Sequence, residues 1–213
     1  MVNNWLNIIQ HYTFPPTCIL CGNKGLNSLD ICQGCFNALI RNPHCCYHCA
    51  EIFNTPNTKP QLCGHCISKS PSFDETHAPF IHQGIMRYLI TNLKFNQQYQ
   101  NARLLGSLLA THLKKTTKMP DIIIPIPLHK QRFQERGFNQ SVEIAKVLAE
   151  QLNIPLNSNS CIRHRNTPHQ INLPAKQRNT NIKNAFTISR AIKAQHAAIV
   201  DDVMTTGSTL NEL

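Results

Sequence analysis

The stretch Ile199-Val200-Asp201-Asp202-Val203-Met204-Thr205-Thr206-Gly207-Ser208-Thr209 sets two carboxylates behind an apolar run and in front of a hydroxyl-rich turn. Ala197 to Val200 has the length and composition of a short buried strand. Leu210-Asn211-Glu212 begins a helix. A loop that leaves a parallel strand and opens a helix presents several backbone N–H groups to one point, and the helix terminus adds a partial positive charge. Gly207 allows the tight bend, and Thr205, Thr206, Ser208 and Thr209 offer hydroxyl donors. The two acids would repel a phosphate but accept hydrogen bonds from sugar hydroxyls. Acids and nest in this register point to a ribose 5-phosphate; the alternative is an ordinary strand–turn–helix corner.

Working back from this stretch, a second strand-to-helix loop is found. Asp121-Ile-Ile-Ile-Pro-Ile-Pro127 reads as a buried strand that stops near Ile124, where proline withdraws a donor. Its exit loop carries Pro127, Leu128, His129, Lys130 and Arg132, then Arg136-Gly137-Phe138-Asn139-Gln140. An amphipathic helix follows from Ser141, with Ile144, Ala145, Leu148, Ala149 and Leu152 on one face. Lys130, Arg132 and Arg136 make this a second candidate phosphate corner, a plain surface turn being the alternative. Upstream, Ala78 to His82 reads as a first strand. Met86, Leu89, Ile90 and Leu93 have helical spacing, as do Ala102, Leu105, Leu109 and Leu113. Ile154-Pro-Leu156 is briefly extended, and Ala185 to Ile188 reads as a strand. Between them, Ser158 to Asn184 shows no core period and reads as a long cationic connection. Alternating strands and helices from about residue 78 predict an α/β domain with a mainly parallel sheet.

The N-terminal third has a different character. Residues 1–14 carry Trp5, Leu6, Ile8, Ile9 and Tyr12 at the spacing of a short amphipathic helix. Four Cys-x-x-Cys knuckles follow: Cys18/Cys21, Cys32/Cys35, Cys46/Cys49 and Cys63/Cys66. Each sets two thiolates on one side of a tight turn, and two knuckles complete a tetrahedron around zinc. Sequential pairing predicts two structural Zn²⁺ ions, although one ion or an interleaved pairing also satisfies the spacing. Cys45 is the near substitute for Cys46, and redox dithiols are the rival chemistry. Residues 67–77 read as a linker, which divides the chain into a helix and zinc-ribbon-like domain at 1–70 and an α/β domain at 71–213.

The formal charge is +10, with 21 Lys and Arg against 11 Asp and Glu. Two zinc sites with four thiolates each, at −2 per site, lower that to +6. The residual charge favours polyanionic partners. It is unevenly spread: Ile81 to Pro120 and Cys161 to Val200 contain 6 and 7 basic residues and no acid. Arg163, Arg165, Lys176 and Arg178 lie in the second run. No signal peptide and no run of the ~18 apolar residues a membrane helix needs is visible, so a cytoplasmic protein with reduced cysteines is expected.

The acids and hydroxyl loop at 201–209 resemble the phosphoribosyl diphosphate (PRPP) binding motif of type I phosphoribosyltransferases. That resemblance implies Asp201 and Asp202 facing ribose hydroxyls and residues 205–209 holding the 5-phosphate. Together, the knuckles, Arg136-Gly137-Phe138-Asn139-Gln140, the cationic stretch and Val200 to Thr209 occur in the order found in the ComF family, linked to natural competence. This broader resemblance implies a zinc ribbon on a type I phosphoribosyltransferase fold. It places Pro127 to Lys130 near a diphosphate and residues 163–178 in the position of a loop that closes over substrate. A type I domain would also continue the helix begun at Leu210 and add at least one strand, so a version with roughly twenty further C-terminal residues is expected to melt higher.

Three functions follow as expectations. The first is a competence protein with a PRPP-binding domain that acts on or binds incoming single-stranded DNA, alongside proteins of the uptake machinery. With Mg²⁺, a catalytic form would transfer a phosphoribosyl group, Asp201 and Asp202 helping to position the metal. The second is a non-catalytic, zinc-containing single-stranded DNA-binding module, for which Phe95, Tyr99, Phe133 and Phe138 are the candidate stacking residues. The third is a phosphoribosyltransferase of nucleotide metabolism.

Overall fold

The structure is a computed structural model that describes residues 15–56, 59–115, 118–167 and 182–213. The amphipathic segment read at 1–14, and Lys176 and Arg178, lie outside the described residues. Chain order is α1 (Gln33–Asn37), α2 (Gly64–Ser68), α3 (Gly84–Asn96), α4 (Gln100–Leu113), β1 (Ile122–Pro125), α5 (Lys130–Arg136), α6 (Gln140–Leu152), β2 (Cys161–Arg163), β3 (Phe186–Ile188), β4 (Ala197–Val200) and α7 (Ser208–Glu212).

β1 and β4 pair in parallel, with Ile122 opposite Ala197 and Pro125 opposite Val200. On the other side of β1, Ile123 bridges Leu156 in parallel, so the extended segment after α6 adds to the same small sheet. Asp121 pins the start of the pairing, its carboxylate accepting from the backbone N–H groups of Gln195 and His196, each at 2.9 Å. This is the parallel core expected from the sequence. β2, inside the stretch read as a structureless connection, pairs antiparallel with β3, which falls in the strand read at Ala185 to Ile188.

Helices α4 and α6 pack closely at Gly106. A Cβ there would lie 2.8 Å from Val147 Cβ and 2.9 Å from the carbonyl oxygen of Ile144. The apolar faces of α3, α4 and α6 enclose Leu89, Leu93, Leu104, Ala145 and Leu148. The same core includes Cys18, Ile31 and Leu39 from the cysteine-rich region. The two regions therefore share apolar packing, and Arg103 of α4 adds an ion pair to the shielded Asp30, with its Nε 2.6 Å from Oδ2.

Two local readings are corrected. Ala78 to His82 is not a strand: Phe80 makes a single bridge to Arg41. Pro79 lacks the N–H that a longer ladder would need. Lys130 to Arg136, read as loop, is helical. The His129 side chain accepts from Gln131 N at its start, and Gly137 closes it in the left-handed region at φ 81°.

Candidate functional site

The cysteine knuckles assemble into two quartets. Cys18, Cys21, Cys32 and Cys35 form one, and Cys46, Cys49, Cys63 and Cys66 the other, with the sulfurs of each within 4.8 Å of one another. Cys21 and Cys32 Sγ are 3.6 Å apart, Cys35 and Cys21 3.7 Å, and Cys49 and Cys63 3.6 Å. A tetrahedron with Zn–S bonds of ~2.3 Å has edges of about 3.8 Å, so these residues fit zinc. The pairing is sequential, and Cys45 stands outside both quartets.

The thiols show why such quartets need a cation. Burial works to raise Cys18, but backbone N–H donors around it bring its thiol down to about 6. Cys46 comes down to about 7 through the same balance. Burial and the neighbouring sulfurs push Cys35 up to about 12 and Cys66 up to about 11. One thiolate per quartet thus forms readily, and further negative charge requires a metal. With four thiolates each, both sites are closed and structural.

The second site lies at the C-terminal end of the parallel pair. Because Pro125 stands opposite Val200, the loops after β1 and β4 leave the sheet side by side, joined by Ile126 N donating to Val200 O at 2.9 Å. Parallel sheets bind ligands in crevices of this kind. Pro127, Leu128 and His129 are half-buried in the first loop, while Lys130 is exposed at the start of α5. In the second, Thr205 and Thr206 are exposed and Gly207 and Ser208 buried. Gly207 adopts φ 70° and caps α7, and the Thr206 and Ser208 hydroxyls are 2.5 Å apart. The left-handed backbone favours glycine at 207, where a Cβ would lie 3.1 Å from Met204 Cε and displace that methyl by a few tenths of an ångström.

The Arg136 to Gln140 segment connects the two loops. Gly137 ends α5 and Phe138 enters the core. Asn139 caps α6, accepting from Ser141 N at 3.0 Å, and donates to Ile126 O at 2.9 Å. Gln140 Nε2 then donates to Asp202 Oδ1 at 3.0 Å, and Ser141 Oγ to Asp201 Oδ1 at 3.1 Å. Arg136 Nη1 donates to Gln140 Oε1 at 2.5 Å. Lys94, in the last turn of α3, pairs its ammonium with Asp202 Oδ2; the side chains are 19% and 5% exposed.

A cleft of about 640 Å³ opens beside the acids, lined in part by His82, Met86, Ile90, Leu108 and Val200. Burial, and then the adjacent Asp202 charge, raises the Asp201 carboxyl to about 7. Burial likewise depresses Arg136, which feels Asp202, and Arg163, which feels Asp201. Arg132 Nη2 donates to Thr167 O at 2.9 Å and Arg163 Nη2 to Thr167 Oγ1 at 2.5 Å. The fold thus gathers Arg132, Arg136 and Arg163 around the corner. Arg165 instead donates to the Lys183 carbonyl.

Sequence reasoning assigned no role at the acids to Lys94, Gln140 or Ser141. Gln140 and Ser141 could have been found from their position at an N-capped helix start following a strand exit. No local signal marks Lys94. Of the four aromatics considered for stacking, Phe138 is buried against Tyr99, with ring centroids 4.8 Å apart. Phe95, Tyr99 and Phe133 are 56%, 47% and 49% exposed, and Arg136 lies 5.7 Å from the Phe95 ring centroid.

Comparison with known proteins matches residues 9–67 to the double zinc ribbon domain. The chain is 36% identical over 205 residues to "Competence protein F" of Haemophilus influenzae, covering 92% of this chain and 88% of that protein. The chain belongs to the competence protein F family. It is also 34% identical over 208 residues to "DNA utilization protein YhgH" of Escherichia coli K12, covering 94% and 90%. With "Competence protein ComFC" of Bacillus subtilis, identity is 25% over 191 residues, covering 85% and 75%. Within this family the chain combines two four-cysteine zinc sites with a small parallel sheet. Among the described residues, no helix is long and apolar enough to cross a membrane.

Proposed function

We propose that this competence-family protein binds a phosphoribosyl group, with PRPP as the reference ligand, at the twin-loop corner while handling incoming single-stranded DNA. The observation that carries the reading is the side-by-side exit of β1 and β4, which sets the Asp201–Asp202 pair and the Gly207 loop beside a second, cationic loop. Residues 205–209 take the 5-phosphate, since the hydroxyls and the start of α7 supply donors. Asp201 is the ribose-facing acid: its Oδ1 is already engaged, leaving Oδ2 for a sugar hydroxyl. Arg132, Arg136 and Arg163 balance diphosphate charge. Were an acceptor nucleophile to bond to the ribose carbon and displace diphosphate, these arginines would stabilise the charge on the departing diphosphate. The division at about residue 70 belongs to the same proposal, with a metal-folded module carrying the ligand-binding one.

The reading of a DNA-binding module is favoured by one observation of its own. Phe95, Tyr99 and Phe133 are exposed aromatics, and Arg136 meets the Phe95 ring. Base stacking on such rings, with phosphate neutralisation, gives sequence-tolerant and salt-dependent binding. Its partners are single-stranded DNA and proteins of DNA uptake, as the relatives' names suggest.

Calorimetric titration of the zinc-loaded full chain with PRPP, with and without Mg²⁺, tests the first reading. Saturable binding lost in Asp201→Ala/Asp202→Ala is expected, with single-stranded DNA binding retained. No PRPP binding under either condition removes it. Absence of DNA binding at low salt removes the second.

A further inference from the structure

The phosphoribosyltransferase resemblance implies Mg²⁺ near the acid pair, and the residues present do not fit it there. Asp202 has no oxygen to offer: Oδ1 accepts from Gln140 and Oδ2 faces the Lys94 ammonium. Asp201 Oδ1 accepts from Ser141 Oγ and from the Asp202 N–H at 2.9 Å. Only Asp201 Oδ2 is left, so Mg²⁺ would have a single protein oxygen here and would have to draw its other five ligands from water and phosphate. A divalent ion placed on Asp202 would also stand beside an ammonium, with like-charge repulsion strengthened by the apolar walls of the cleft.

We infer that Lys94 is the resident cation of the acid pair, occupying the position on Asp202 that a divalent metal would otherwise take, so that this corner binds its phosphoribosyl ligand without a metal on the aspartates. Lys94 is held for the task. It projects from the last turn of α3, where a cation complements the helix dipole. Tyr88 O, one and a half turns earlier, accepts from Asn92, which in turn accepts from Asn96 at 2.6 Å, tying down that end of the helix. An ammonium has three donors. The ammonium stands against Asp202 Oδ2 as an ion pair, and its N–H donors remain for an anionic ligand entering beside it. Lys94 is therefore a positioning and specificity residue: it orients Asp202, cancels its repulsion toward phosphate, and selects a metal-free ligand state.

This inference rests on the phosphoribosyl reading for its ligand, but its first test does not. Zinc-loaded full-length protein is titrated with Mn²⁺ alone, in buffer without chelator so that the thiolate sites keep their zinc. The unaltered protein is expected to show no saturable Mn²⁺ uptake at the acids. Lys94→Gln, which keeps a donor to Asp202 and removes the charge, and Lys94→Met should bind Mn²⁺ at least about tenfold more tightly. Equal Mn²⁺ binding by all three proteins overturns the inference. So does saturable uptake by the unaltered protein that Asp202→Asn abolishes, which requires no Lys94 variant to fold. In a second arm, PRPP should bind the unaltered protein with and without Mg²⁺ and bind Lys94→Gln only with it. A strict Mg²⁺ requirement in the unaltered protein overturns the inference. Failure of all PRPP binding instead sinks the proposed ligand, and the Mn²⁺ comparison still decides the role of Lys94.

Discussion

The cysteine-rich region and the acid corner achieve order by opposite means. In the first, four sulfurs per site converge within 4.8 Å of one another, a spacing that fits a zinc ion, and few side chains are needed to hold the turns. In the second, Asp201 and Asp202 are held by side chains from α3 and α6, which stand on a packed core. The first is organised by one strong central bond set, the second by several mutually dependent contacts. Damage should therefore be all-or-none in one region and graded in the other.

The largest effect is expected from the metal. Chelation, or Cys46→Ser, should cost on the order of 10 kcal/mol for the affected site. Because Cys18, Ile31 and Leu39 belong to the common core, the α/β region should then melt earlier too. Zinc content and circular dichroism melts check this; an unchanged melt of the α/β part would show that the two regions are independent.

Next comes Lys94→Met, which leaves Asp202 shielded without its counter-charge and should destabilise by about 3 kcal/mol. Adding Asp202→Asn should recover most of that loss, as a double-mutant cycle by urea denaturation can measure. Gly106→Ala should cost about 2 kcal/mol, by forcing α4 away from Val147 and Ile144. Thermal denaturation reads it directly, and loss of the acid-corner ligand should accompany it, since α6 carries Gln140 and Ser141.

A pH comparison separates the regions further. An acid raised in the folded state binds its proton more tightly there than in the unfolded chain. Between the ordinary aspartate range and about 7, folding is therefore favoured by acid, and Asp201 makes its full destabilising contribution above about pH 7. Asp201→Asn should raise the melting temperature at pH 8 by the equivalent of more than about 1 kcal/mol, and by less at pH 5. Asp202, Lys94, Arg163 and Ser141 all act on this carboxyl. Smallest of all, Arg103→Ala should cost about 1 kcal/mol or less: Asp30 is shielded but the guanidinium is largely exposed. That variant weakens an ion pair joining the regions, so differential scanning calorimetry should show whether the two transitions begin to separate.

What could be read from sequence follows the same contrast. Cys-x-x-Cys spacing is local geometry, so all eight ligands and their sequential pairing were legible. The strand ending at Val200 and the loop after it were legible for the same reason: an apolar run, then acids, then glycine. Helix α5 was not, because Lys130 to Arg136 has only Phe133 as an apolar residue and is stabilised at its ends, by His129 and Gly137. Strand β2, of 3 residues, is defined by its pairing with β3 rather than by any pattern of its own, whereas β3 was legible as an apolar run. Gln140 meets Asp202 across 62 residues of chain, and Lys94 across still more. Such contacts have no local signature, and they decide that the two aspartates play different parts.

The register of β4 against β1 also has a temporal meaning. Asp121 and His196 close a loop of 75 residues, whereas Cys21 and Cys35 close one of 14. By chain statistics the longer closure costs about 1.5 kcal/mol more, and long-range parallel pairing is slow. As the chain leaves the ribosome, both sulfur quartets are complete long before Ala197 emerges. The acid corner thus assembles after the sulfur quartets, on a nascent protein whose metal centres can already be in place.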